Sequence, residues 1–349
     1  MRLTKYLKCT LGGLFFGLAA TAQQKPYYTQ YILNNYILNP ALSGIENYTD
    51  LKISYRNQWT GIDGAPVTTY LSIQGPTGEN KDEERNTVNS FGKSGVNVRG
   101  KRVVEDDISV PAPHSGLGMI MINDKTGYIN RFAMYGTYAY HKPLNPSTTL
   151  SAGFQLGFSN ISLDRSKIVF SDLSTDDPAI GFDNGELKKL VPEIGVGLWL
   201  YSSSFFVGAS VLNIVPSRVS FVKTGNYGSY LTPHYFASAG YRFWLSDNIS
   251  MLPSVALQLI SPTPIQLHAN VKFQYLDKAW IGGSYRSNDQ LGGFAAMAGF
   301  NVSNVFNVSY AYDVSLNSRL RTYARNTHEI IIGFLLNNRY GELCPKKIW

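Results

Sequence analysis

From Ile265 onward the chain repeats one choice residue after residue: Ile265, Leu267, Ala269, Val271, Phe273 and Tyr275 alternate without a break with Gln266, His268, Asn270, Lys272 and Gln274. A period of two predicts a strand with one apolar and one polar face. At roughly 3.3 Å per residue, such a run is about long enough for a tilted crossing of an apolar membrane layer. The same pattern marks Leu150–Ser159, where Leu150, Ala152, Phe154, Leu156 and Phe158 oppose Ser151, Gly153, Gln155, Gly157 and Ser159.

Shorter alternating runs fill most of the chain from Asp50 to Leu336. Lys52, Ser54, Arg56 and Gln58 face away from Leu51, Ile53, Tyr55 and Trp59, and Val67, Thr69, Leu71 and Ile73 form the next apolar face. Gly116–Asn123 meets Ile129–His141 across Asp124-Lys125-Thr126-Gly127, a tight hairpin signal. Ile194–Leu200, Phe205–Val211, Tyr235–Leu245, Met251–Ile260, Trp280–Arg286, Gly292–Asn301, Val305–Val314 and His328–Leu336 complete the set. The expected fold is all-β, a transmembrane antiparallel β-barrel of about 14 strands, an even number that closes with both ends of the chain on one side. The expected divisions are a leader at 1–22, an N-terminal aromatic segment at 23–49, the barrel at 50–337 and a tail at 338–349. Residues 23–49 lack the alternation, and the segment either tucks into the barrel mouth or hugs its rim. Residues 78–113 are long for a connection; they follow an even-numbered strand, where a short turn is expected, so the side of the membrane they occupy stays open.

Composition supports strands over helices. Tyr and Phe are abundant at 23 and 18, and charged residues make up 16% of the chain, below the roughly 25% of soluble domains. No run approaches the roughly 20 apolar residues of a membrane-spanning helix. Arg2, Lys5 and Lys8, the apolar stretch Leu11–Ala19 and Ala20-Thr21-Ala22 have the form of a secretory leader cleaved near Ala22. Of the formal charge of +7, three positives belong to that leader, leaving 28 Lys and Arg against 24 Asp and Glu. No basic patch with interleaved aromatics suggests nucleic acid.

Candidate chemistry is sparse. Polar faces carry Lys52, Arg56, Arg131, His141, Arg242, His268, Lys272, Arg286, Asp313 and Glu329, which predicts a wet or ion-paired lumen, the alternative being a selective charged pathway. The five histidines have no metal-binding spacing, and neighbours His328 and Glu329 point to opposite faces of a strand, so neither a catalytic dyad nor a cofactor is expected. Asp172, Asp176, Asp177, Asp183 and Glu186 supply oxygen ligands without the ordered spacing of a calcium loop, as a solvated acidic loop does. Trp59, Trp199, Trp244 and Trp280 lie near strand ends, where interfacial anchors are expected.

Gln30-Tyr31, Asn39-Pro40-Ala41-Leu42-Ser43-Gly44 and Tyr55-Arg56-Asn57-Gln58-Trp59 resemble the N-terminal signature of the PorP/SprF family of type IX secretion system outer-membrane proteins. The likeness continues through Asp124–Gly127, Tyr138-Ala139-Tyr140-His141, Leu163-Asp164, Tyr285-Arg286, Tyr310-Ala311-Tyr312-Asp313 and His328-Glu329. It implies a non-enzymatic barrel in a bacterial outer membrane, in contact with lipid. With type IX components, it would export or hold at the surface a large cargo protein, such as a gliding adhesin with a C-terminal sorting domain. Residues 23–49 and the loops 162–190 and 215–231 are where a partner would grip, with Tyr31, Asn39, Pro40, Trp59, Asp176, Asp177, Tyr227 and Tyr230 as candidate contacts. Asn39-Pro40-Ala41 near the start of a barrel also resembles fatty-acid-transport-type channels, which would carry hydrophobic small molecules. A soluble secreted β-sandwich is the third possibility.

Overall fold

The computed structural model describes residues 30–46, 48–77, 113–145, 148–164, 186–202, 204–219, 229–246, 248–261, 263–276, 278–287, 292–303, 305–316, 322 and 325–337. Three short 3-10 turns come first, Tyr31–Leu33, Asn35–Ile37 and Pro40–Leu42. The strands follow: β1 (Thr49–Asn57), β2 (Val67–Thr77), β3 (His114–Thr126), β4 (Ile129–Asn145), β5 (Thr148–Asp164), β6 (Glu186–Tyr201) and β7 (Phe205–Leu212). A small hairpin, β8 (Ser217–Val219) and β9 (Ser229–Leu231), stands apart from the main sheet. Then come β10 (His234–Tyr241), β11 (Phe243–Ser246), β12 (Ile249–Ile260), β13 (Gln266–Tyr275), β14 (Ala279–Ser287), β15 (Gly293–Asn301), β16 (Phe306–Ser315) and β17 (Thr327–Leu336).

β10 and β11 form one stave interrupted at Arg242, since both pair with β12. Each other stave pairs antiparallel with its neighbour in sequence, and β1 closes the circle on β17, Thr49 opposite Leu336 and Asn57 opposite His328. The protein is thus a closed antiparallel barrel of 14 staves. Closure satisfies every ladder within one cylinder and leaves no edge, the condition for strands to span lipid.

The period of two decides what faces outward. Along β13, Gln266, His268, Asn270, Lys272 and Gln274 are buried inside, whereas Leu267 and Tyr275 are exposed on the outer face, as is Ile265 just before the strand. The same parity exposes Phe154, Leu156 and Phe158 on β5 and Ile194, Val196 and Leu198 on β6. β4 and β5, at 17 residues each, run well past the apolar alternation. Their ladders continue through 160–164 on β5, where Ile161 packs on Val191 and Leu231, and through 142–145 on β4, because cross-strand backbone pairing does not require a regular apolar alternation. The connection between β5 and β6 is accordingly 165–185, and the ends of the 162–190 grip region are strand.

Connections segregate by length. At the end holding Thr49 and Leu336, β4–β5, β6–β7, β11–β12, β13–β14 and β15–β16 are joined by short turns. The far end carries 165–185, 213–233 and 316–326. The 78–113 connection joins Thr77 to His114 at the same end as Thr49 and Leu336, against the trend.

The lumen departs from a purely hydrophilic interior. Ile120, Ile122, Ala133, Tyr135, Trp199, Tyr201, Phe206, Leu252, Ala256 and Ile331 point inward and form one cluster with Tyr31, Tyr36, Ile37, Ala41, Leu42 and Ile45. The N-terminal segment therefore lies inside the barrel as a plug, and the apolar wall residues bury their surface against it. Trp199, 1% exposed, stacks on Phe206 within this core, and Trp280 lines the lumen beside Leu33. Neither is an interfacial anchor: the alternation that turns Leu198 and Ile281 outward turns these two in.

Candidate functional site

The plug and its seat are the most elaborately built polar region of the described structure. The described part of the plug starts at Gln30, whose Nε2 donates to the Glu329 carbonyl near the far end of β17 (2.9 Å). It crosses the lumen and reaches β1 at the opposite end. No regular helix supports it, so its backbone groups need partners from elsewhere. Asn39 caps the last turn, its Oδ1 accepting from the Ala41 N–H (3.0 Å), while its Nδ2 donates to the carbonyls of Leu198 (3.0 Å) and Ala209 (3.2 Å) on β6 and β7. Ser151 and Ser210 donate to the Ala41 and Leu38 carbonyls, each at 2.6 Å. Gln74 Oε1 accepts from the Gly44 N–H at 2.5 Å.

Two histidines hold the lower end of the plug. His141 Nε2 donates to the Ser43 carbonyl (2.8 Å) and His114 Nε2 to the Gly44 carbonyl (3.1 Å). The rings stack with centroids 4.5 Å apart. Because a carbonyl only accepts, both rings carry their proton on Nε2, and His141 Nδ1 accepts from the Tyr201 hydroxyl (2.9 Å). Tyr36 and Ser43 both bond the Thr137 hydroxyl (2.6 and 2.8 Å). Burial pushes the phenols of Tyr31 and Tyr36 well above the ordinary tyrosine range, so both stay neutral.

Four inward glycines let the plug sit this close. A Cβ at Gly116 would fall 2.1 Å from the Ser43 carbonyl, at Gly118 2.2 Å from the Tyr36 hydroxyl, at Gly153 2.6 Å from the Pro40 carbonyl and at Gly197 1.9 Å from Asn39 Oδ1. Each occupies a wall position where a side chain would otherwise fill the lumen.

The charged positions are paired around this core. Arg56 lies between Glu329 (Nε to Oε2, 3.6 Å) and Asp313 (Nη2 to Oδ2, 3.9 Å), and Arg286 bonds Asp313. Arg131 meets Glu193 at 2.5 Å, and Tyr135 donates to the other oxygen of that carboxylate (2.6 Å). Lys52 pairs with Asp50 at 2.6 Å. Such pairing offsets the desolvation of charges enclosed in a filled lumen.

Of the residues singled out from sequence, Lys52, Arg56, Arg131, Lys272, Arg286, Asp313 and Glu329 all face inward. Tyr31, Asn39 and Pro40 are buried in the plug, their surfaces spent on the barrel wall. Trp59 lies in the β1–β2 turn at φ 53°. Asp172, Asp176, Asp177, Asp183 and Tyr227 fall outside the described residues, and of Tyr230 and Glu186 only the backbone is described. Sequence reading missed Glu193, His114, Thr137, Ser151 and the four glycines. Glu193 was available from parity, opposite in face to Ile194. Among the described residues no three His, Cys, Asp or Glu gather as a metal site.

A family model described as "Type IX secretion system membrane protein PorP/SprF" matches residues 20–334. Among solved structures, the chain is similar to the toluene transporter TbuX of Ralstonia pickettii (9% identity, 85% of this chain and 92% of that chain, TM-score 0.45). It is also similar to the outer membrane protein Omp33 of Acinetobacter baumannii (8% identity, 84% and 100%, TM-score 0.45). A third is the monoaromatic hydrocarbon channel CymD (11% identity, 86% and 91%, TM-score 0.44). No curated protein matches the chain.

Proposed function

The chain belongs to the PorP/SprF family of type IX secretion system membrane proteins, and from that premise we propose that it acts in the bacterial outer membrane as a plugged, non-enzymatic barrel that helps export a large cargo or hold it at the surface. The cargo is a gliding-adhesin-like protein engaged through its C-terminal sorting domain, alongside other type IX components. In this reading a leader ending near Ala22 directs the chain to the envelope.

One observation carries the reading: the lumen is filled by a plug bonded to walls on both sides of the barrel, from Glu329 to Ala209. A polypeptide does not thread through such a lumen, so the barrel works as an anchor or adaptor, gripping partners with its ends. The two ends of the barrel, one holding Thr77 and His114 and the other Asp164 and Glu186, face the two sides of the membrane, and a partner can be gripped at either.

Deleting the gene and comparing surface proteomes tests the proposal. Loss of one or a few large exported proteins supports it, and the cargo should co-purify with the barrel from mild detergent. Unchanged export together with impaired uptake of a hydrophobic compound would instead favour a channel of the fatty-acid-transport type.

A further inference from the structure

On the outer face of β3 to β6, toward the far end, four residues stand opposite one another in a single cross-strand row: Lys125, Asn130, Ser162 and Lys188. They share the parity of the outward residues Leu117, Phe132, Phe158 and Leu190. The row lies one or two outward positions beyond the last three, about 5–10 Å past the apolar edge at strand tilts of 35–45°. Lipid headgroups occupy that depth, since they add roughly 5–8 Å to each side of the hydrocarbon core. A cleft of about 190 Å³ opens at the row, lined by Lys125, Gly127, Tyr128, Asn130, Ser162 and Asp164 among others. Its walls are held in place: the Gly127 N–H donates to the Gly64 carbonyl (2.8 Å), the Asp164 N–H to the Tyr128 carbonyl (2.9 Å) and the Ser162 hydroxyl to the Asn130 carbonyl (3.2 Å). Lys125 is exposed and makes no ion pair among the described residues, and the Tyr128 ring is half exposed.

We propose that this cleft holds the phosphorylated sugar headgroup of a glycolipid in the outward-facing leaflet. The Lys125 ammonium receives the phosphate in a charge-assisted bond. A phosphate alone would also meet the Asp164 carboxylate, a like charge, whereas a sugar beside it supplies hydroxyls that donate to that carboxylate. The half-exposed Tyr128 ring offers a flat apolar face on which the sugar ring packs, while its hydroxyl stays in water. The acyl chains then run down the outer face over Phe132, Phe154, Phe158 and Leu190, all exposed. The site rests on the outer-membrane placement of the barrel and holds whichever cargo the barrel serves.

The test uses the full barrel purified in detergent, with diphosphoryl lipid A and phosphatidylglycerol as probes and bound lipid counted by native mass spectrometry. Lipid A should bind the wild type saturably and at least tenfold more tightly than phosphatidylglycerol. Lys125→Gln should weaken lipid A about tenfold or more, the worth of one hydrogen bond to a charged group. Tyr128→Ala should weaken lipid A and leave phosphatidylglycerol unchanged. Lys142→Gln, which removes an exposed outward lysine near the other end of β4, should alter neither. All three side chains are exposed, and heat-modifiable gel mobility establishes that each variant is a folded barrel. No preference over phosphatidylglycerol, binding that survives Lys125→Gln, equal losses from Lys125→Gln and Lys142→Gln, or full displacement of lipid A by equimolar free glucosamine 1-phosphate overturns the proposal. Because binding is read on the purified barrel, its outcome is separate from that of the export experiment.

Discussion

Gly197→Ala adds one methyl group to the seat of the plug. The new Cβ falls 1.9 Å from Asn39 Oδ1, 2.8 Å from its Cγ and 3.1 Å from Pro40 Cδ, so Asn39 must swing away. In doing so it gives up three hydrogen bonds, from Ala41 N–H and to the Leu198 and Ala209 carbonyls. At about 0.5–1.5 kcal/mol each, the plug loses roughly 1.5–4.5 kcal/mol of its attachment. The barrel ladders remain intact, so the loss is local. Hydrogen–deuterium exchange read by mass spectrometry should therefore speed up roughly ten- to two-thousandfold in peptides covering residues 30–46, with β12 to β16 unchanged. Gly136→Ala is the control: its nearest neighbour, the Leu156 carbonyl, is 3.9 Å away, and a strain-free Gly→Ala stabilises by about 0.4–1 kcal/mol. Unaltered plug exchange in Gly197→Ala, or acceleration spread evenly over plug and strands, would show that the Asn39 bonds do not hold the plug in its seat.

Other outcomes follow from the same packing. Arg56→Met strands Glu329, 1% exposed, without its guanidinium, and should cost about 3–5 kcal/mol, seen as a lower urea midpoint that Glu329→Gln in the same chain partly restores. A variant retaining only Trp199 should emit in the blue and resist quenching by both acrylamide and brominated lipid, whereas an interfacial residue would be quenched by the lipid. The neutral phenols of Tyr31 and Tyr36 give a sign-definite pH effect. Their pKa values are raised by burial, so the unfolded plug releases protons above about pH 10 while the seated plug does not. Below that pH the two phenols add no pH dependence, and above it they weaken plug attachment by up to about 2.7 kcal/mol per unit for the pair, measurable as faster plug exchange at pH 11 than chemical exchange alone gives. Tyr36→Phe should reduce the slope.

What was legible in the sequence is what the period of two encodes. β13 reads its own two faces without ambiguity because each of its outward residues is apolar and each inward one polar. Where the inside is also apolar, polarity stops reporting the face. Ile331 and Leu335 alternate with Ile330, Ile332, Phe334 and Leu336 on β17, and only the neighbouring Glu329 fixes which set points in. Position near a strand end suggested an interfacial role for Trp199, although the parity of Leu198 already placed it inside. The plug was the least legible part, since its short turns have no period and are held by partners more than 100 residues away in sequence, such as Thr137 and Ser151. Its trace was in the wall: Gly116, Gly118, Gly153 and Gly197 occupy inward positions, a pattern that signals another backbone passing at close range.

The pairing of β1 with β17 makes the seam of this cylinder the meeting of the earliest and latest strands to be synthesised. Plug residues are made before any strand, yet their bond from Gln30 to Glu329 spans 299 positions, so they wait unsheltered until the final stave arrives. Biogenesis thus resembles coopering around a mandrel: the sheet must wrap an N-terminal strand of chain already in place. Anything that delays the last stave leaves Tyr31, Ile37 and Leu42 open to the wrong companions.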